Sequence, residues 1–159
     1  MAVDMFMMIK GIDGESKDNS HGDEVDVLAW SWGMSQSGSF HVGGGGGAGK
    51  VNVQDISFTK WVDKASAALM LHCCDGSHIG EITLTCRKAG KNPIEFLIIK
   101  MKKCMITSLS TGGSGGEETL TENVTINFAE VAVDYQRQKD DGKGEQAGNF
   151  TWNIEKNIT

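Results

Sequence analysis

The chain has 159 residues, with 21 acidic side chains against 15 basic ones and a formal net charge of -6. That length suits one domain, residues 1–159, whose core needs neither disulfides nor a metal. The basic residues are scattered, so the concentrated positive footprint of a nucleic-acid binder is missing.

The first residues carry Asp4 and no basic region before an apolar stretch, which argues against a signal peptide. No apolar run approaches the roughly 18 residues of a membrane span, so membrane insertion is not expected. The expected location is the cytoplasm, and any export must use a route other than the general secretory one.

Residues 5–9 predict a first strand, ended by the Gly11 to Gly14 turn and followed by a polar loop through Asp26. From Val25 the pattern alternates, placing Val25, Val27, Ala29, Ser31 and Gly33 on one face and Leu28, Trp30 and Trp32 on the other. The two indoles are expected in the core, because each large ring removes much apolar area from water. Ala29, Ser31 and Gly33 then form a strip of small residues.

After Met34 the chain enters Ser-Gln-Ser-Gly-Ser-Phe-His-Val and a glycine run, Gly43, Gly44, Gly45, Gly46 and Gly47, then Ala48, Gly49 and Lys50. Such a backbone loses much entropy on ordering, so an extended loop that orders against a partner is expected. Gly44 to Lys50 also satisfies part of a phosphate-binding loop. Val51 stands where a hydroxyl would meet magnesium, and 51–54 has period two rather than the start of a helix.

In 51–58, Val51 and Val53 are out of phase with Ile56 and Phe58, which a one-residue bulge near Gln54-Asp55 would reconcile. A similar phase break separates Val124, Ile126 and Phe128 from Val131, Val133 and Tyr135, and long strands with such breaks predict strongly bent sheets. A helix is predicted over 63–74, with Asp63 as cap, a stripe of Ala65, Leu69 and His72 or Cys73, and an exit at Asp75-Gly76. Strands follow over 82–87, 95–106 and 124–135, with a last one carrying Phe150, Trp152 and Ile154. The fold class is therefore mainly β, with one flanking helix.

The search for chemistry is negative, and no residue is nominated as catalytic, cofactor-binding or metal-binding. His72, Cys73, Cys74 and His78 match no common zinc spacing. His21 and His41 fall in polar loops and are expected to be exposed. Glu117, Glu118 and Glu122 read as a solvated acidic loop. Cys73, Cys74, Cys86 and Cys104 lack CxxC spacing and read as buried thiols. Sequons at Asn123, Asn149 and Asn157 carry no weight without a secretory signal.

Long strings carry more than their physics. The opening Met-Ala-Val-Asp-Met-Phe, the block DVLAWSWGMSQSGSFHVGGGGGAGKVNVQDISFTK, and STGGSGG with LTENVTINFAEVAVDYQ closely resemble the haemolysin-coregulated protein (Hcp) family of bacterial type VI secretion systems. The resemblance covers essentially the whole chain. It implies two antiparallel sheets forming a barrel-like core with one flanking helix. It also implies homohexameric rings that stack into a tube inside contractile sheath proteins, capped by a spike protein, exported through the type VI apparatus and able to carry effector proteins in the lumen.

By resemblance, Ser31 faces the lumen, and the loop of Gly43, Gly44, Gly45, Gly46, Gly47, Ala48, Gly49 and Lys50 reaches toward the neighbouring ring. The alternatives are a phage-tail-tube structural protein or a small cytosolic β-barrel enzyme. A pocket with shifted titratable groups would favour the enzyme.

Overall fold

A computed structural model describes residues 2–41, 47 and 49–159. Its elements in chain order are β1 (Val3–Ile9), β2 (Val25–Ser31), β3 (Met34–Ser35), β4 (Asn52–Val53), β5 (Ile56–Trp61), α1 (Ser66–Asp75), β6 (His78–Lys88), β7 (Ile94–Gly112), β8 (Thr121–Gln138) and β9 (Gly144–Asn153).

Alternating apolar residues on six antiparallel strands bury one face of each, and the sheet solves the problem of its edges by closing on itself. The order is β5-β2-β1-β6-β7-β8, and pairing of β5 with β8 completes a six-stranded barrel. Strand β8 is long enough to serve two neighbours on one side. Its Thr121 to Ile126 half pairs with β5, and its Glu130 to Gln138 half pairs with β9. The second sheet is only the short β3–β4 pair, so the core is one closed sheet rather than two comparable layers. Met7, Val25, Phe58, Leu84, Ile99 and Ile126 fill the interior, each stabilising the fold by about 1.5–3 kcal/mol through removal from water.

The expected phase break is present and is shared by two strands. Met101 and Cys104 on β7 are both buried, as are Phe128 and Val131 on β8, although a spacing of three puts residues of a regular strand on opposite faces. Both strands lose phase at the same place, where Lys103 adopts a φ of 54°. The register is the same on either side, Met101 opposite Val131 and Cys104 opposite Phe128.

Two expectations about phase change. On β2 the register shifts between Val27 and Ala29, so Leu28 is bulged out. Val25 and Val27 therefore turn inward with Trp30 and Trp32, and of the face predicted to carry Val25, Val27, Ala29 and Ser31 only the last two remain outside. Near Gln54-Asp55 there is no bulge within one strand. The chain instead passes from β4 in the small sheet to β5 in the barrel, and the backbone of Gln54 is held on both sides: its N–H donates to the Gly33 carbonyl (3.0 Å) and its carbonyl accepts from Trp32 Nε1 (2.8 Å).

Helix α1 starts later than expected. Asp63 Oδ1 accepts the Ala65 N–H at 2.9 Å and so holds the turn that precedes it. The exit is as expected, with Gly76 at a φ of 69° donating to the His72 carbonyl at 3.0 Å. Leu69 and Ala65 are buried and the helix packs on β7.

The 13–24 loop is folded onto the barrel rather than loose. The Gly14 N–H donates to the Asp23 carbonyl (2.7 Å), and the Ser16 N–H to that of Glu24 (2.9 Å). A Cβ at Gly14 would lie 2.5 Å from the Glu24 carbonyl oxygen and 2.8 Å from Val25 Cα, both rigid backbone. Gly14→Ala is therefore expected to cost about 1–3 kcal/mol, read as a lower denaturation midpoint at unchanged slope.

Candidate functional site

Strand pairing carries Ser31 into a row that no local pattern displays. Ser31 on β2 lies opposite Ser57 on β5, Ser57 opposite Thr125 on β8, and Thr125 opposite Ser108 on β7. The next row repeats the theme with Ala29, Thr59, Asn123 and Ser110. Ser31 is exposed, and this outer face of four strands is a continuous carpet of hydroxyls and amides.

Its side chains bond to one another. Thr59 Oγ1 donates to Asn123 Oδ1 at 2.6 Å, and the hydroxyls of Thr107 and Ser108 each lie 2.7 Å from Thr125 Oγ1. Asp55 at the rim accepts from Thr107 Oγ1 (2.7 Å) and Asn127 Nδ2 (2.8 Å). A self-bonded polar sheet can lie against diverse surfaces without leaving a buried polar group unpaired.

Of the expected ring-stacking loop, Gly43, Gly44, Gly45, Gly46 and Ala48 lie outside the described residues. Gly47, Gly49 and Lys50 lie on its returning limb. The β3–β4 hairpin continues beyond its strands, because the Gly49 N–H donates to the Ser37 carbonyl (3.3 Å) and the Ser39 N–H to that of Gly47 (3.2 Å). Ser39 Oγ also donates to the Gly47 carbonyl (2.8 Å) and accepts its N–H (2.9 Å). The approach is close: a Cβ at Gly49 would stand 2.4 Å from Ser37 Oγ, which would have to rotate away, while the nearest backbone atom, the Ser37 carbonyl oxygen, lies at 3.6 Å. Beyond this ladder Phe40 is 85% exposed. A strand, β4, and not a helix, follows Lys50, which removes the structural context of a phosphate-binding loop.

A second surface is apolar. Trp32, Met34, Val51, Val53, Val131, Phe150 and Trp152 line a trough, with Met34 45% and Phe150 37% exposed. The trough borders β9, which pairs only with β8 among the described strands and leaves the N–H and C=O groups of its far edge open up to Asn153, where Ile158 takes and returns a backbone bond (2.7 and 3.2 Å).

Three sequence expectations fail here. Glu122 does not sit in a solvated loop with the exposed Glu117 and Glu118. It lies on β8 opposite Lys60, and both are fully buried and ion-paired. Lys60 Nζ also reaches Asp63 Oδ1 (2.9 Å), the Trp61 carbonyl (2.9 Å) and Ser66 Oγ (3.1 Å), which ties the start of α1 to the barrel. Period two already contained this pair: Ile56, Phe58 and Lys60 share one phase, and Glu122, Val124, Ile126 and Phe128 another.

His21 is also buried, with 8% exposure, whereas His41 is exposed as expected. The thiols divide. Cys86 and Cys104 are buried, with burial pushing Cys104 up to about 12 and so out of reactivity, but Cys73 is half-buried and Cys74 exposed.

A closed barrel with a hydroxyl-lined face, a free edge beside an apolar trough and a glycine-rich arm is a protein that works through its surfaces. Residues 6–135 match the family described as "Type VI secretion system effector, Hcp", and the chain belongs to that family as a structural subunit of the type VI secretion tube. It is 61% identical over 160 residues to the protein Hcp1 of Pseudomonas aeruginosa, covering 99% of each chain.

Among solved structures it is similar to a type six secretion system protein (TM-score 0.93, 26% identity, 98% of each chain covered). It is also similar to Hcp1 of Salmonella typhimurium (TM-score 0.80, 34% identity, 99% of each chain covered). The family is thus one of secreted, self-associating type VI proteins. No helix among the described residues is long and apolar enough to cross a membrane.

Proposed function

We propose that residues 1–159 act as one unit that assembles into a homohexameric ring, that rings stack into the tube, and that the hydroxyl face lines its lumen and contacts effector proteins. The observation that carries the ring is the apolar trough beside the open edge of β9, two unsatisfied surfaces side by side that a neighbouring copy would cover. In this reading the sheath proteins surround the tube, the spike protein caps it, and export through the type VI apparatus needs no cleaved leader. The role asks for no cofactor and no catalysis by any side chain.

The arm supports stacking. Phe40 leaves a large ring in water, and its burial on an adjacent ring would gain about 1.5–3 kcal/mol per contact. Ring formation is tested by the native mass of the 17.1 kDa chain across a concentration series, by light scattering behind a sizing column. A hexamer mass is expected. A stable monomer at high concentration would overturn the reading.

Ser31 tests the lumen. Ser31→Arg puts a long cation into the hydroxyl row, and the expected result is an unchanged ring mass with co-elution of a small type VI effector weakened by about tenfold or more, about 1.4 kcal/mol. Undiminished co-elution would remove Ser31 from the contact surface.

A further inference from the structure

We propose that His21 is a doubly protonated bridge that latches the 13–24 loop over the outer face of the barrel, and that the latch opens as the pH rises. The geometry sets its protonation. Nδ1 lies 2.7 Å from Glu24 Oε2, and Nε2 lies 2.7 Å from Glu95 Oε1 at the start of β7. A neutral imidazole has one N–H and one lone pair, so it would serve one carboxylate and turn a lone pair on the other. Only the imidazolium donates to both.

The ring is also clamped in place. It stacks on Phe6 of β1, with centroids 4.5 Å apart and planes within 10°. Phe6 is 4% exposed and is buried from outside the barrel by this contact and by the Arg87 guanidinium, 5.0 Å from its centroid.

The surrounding charges come from every adjoining element. The loop itself supplies Asp18 and Glu24, β1 supplies Asp4, β2 Asp26, β6 Arg87 and β7 Glu95. Asp18 takes both Arg87 terminal nitrogens (2.6 and 3.0 Å) and the backbone N–H groups of Ser20 (3.0 Å) and His21 (3.2 Å), and the hydrogen bond from Arg87 holds its carboxyl well below the usual range. That contact keeps its charge across the neutral range. Asp26 is pushed above the ordinary carboxylate range by burial.

Burial acts to lower the pKa of His21, but hydrogen bonds and charge attraction from Glu95 and Glu24 outweigh it and leave it above the ordinary value. The sign follows. A folded-state pKa above the unfolded one contributes stability in full below about pH 6.5, and this is lost as pH rises through the folded value. Deprotonation removes one of the two bonds, and the one holding loop to β7 spans 74 residues of sequence.

The test uses the full-length protein. Imidazole C2 hydrogen–deuterium exchange read by mass spectrometry, from about pH 5.5 to about 9.5, gives the His21 protonation midpoint. Backbone amide exchange over 13–24, corrected for its intrinsic pH dependence, gives the state of the loop.

The expected midpoint lies above the ordinary histidine value, and loop protection falls severalfold across it while β5 amides stay protected. Glu95→Gln lowers the midpoint and flattens the step. A midpoint at or below the ordinary value, or loop protection equal on both sides of it, overturns the latch. Should Glu95→Gln misfold, the wild-type titration decides alone. None of these readouts depends on ring formation.

Discussion

Lys60→Met lowers the stability of the barrel by about 3–5 kcal/mol, and adding Glu122→Leu restores most of the loss. Lys60 and Glu122 face each other across the β5–β8 seam that closes the barrel, and neither side chain touches solvent. Removing the ammonium alone leaves a buried carboxylate, one oxygen of which already lacks a partner. The cost is the desolvated charge left behind, more than the attraction lost.

The seam also anchors α1, because Lys60 reaches Asp63 and Ser66, and Ser66 Oγ donates to Glu122. Chemical denaturation of the single and double variants, compared at one protein concentration, measures the effect. A single variant as stable as the parent, or a double variant no better than the single, would contradict this account of the pair.

The second large effect is on assembly. Phe150→Asp is expected to convert the proposed ring to monomer at micromolar concentrations while the barrel remains folded. Phe150 stands on β9 opposite Val133, partly exposed beside the trough of Trp32, Met34 and Trp152, and contributes nothing to barrel closure.

A carboxylate there loses the apolar contact and must be desolvated in the proposed contact between subunits. About 3 kcal/mol or more per contact raises each dissociation constant by more than about 100-fold. Native mass together with an unchanged β-sheet circular dichroism spectrum reads the outcome. A hexamer mass for Phe150→Asp would move the subunit contact away from this trough.

Much of the fold was legible. The strand phases of 51–58 and 124–135, the exit at Gly76, the phase breaks of the long strands and the unusual strings around Trp30 and Gly44 all pointed to a mainly β subunit of the Hcp family. Lys60 and Glu122 continue those same phases by one step each, and reading Glu122 as part of a solvated acidic loop hid the pair. The β2 bulge was hidden for another reason: Leu28 looks no different from its neighbours, and only the pairing with β5 forces it out.

The sequence by itself determined which residues alternate, where the chain can turn and which family it resembles, because periodicity, turn chemistry and long shared strings are local properties of the chain. Tertiary structure alone decided that β5 and β8 close the barrel, that β7 and β8 change phase together at Lys103, that β9 keeps most of one edge open, and that His21 meets Glu95. Those are pairings between distant segments. Their outcome depends on which partners together can bury a common face, and no window along the chain contains that information.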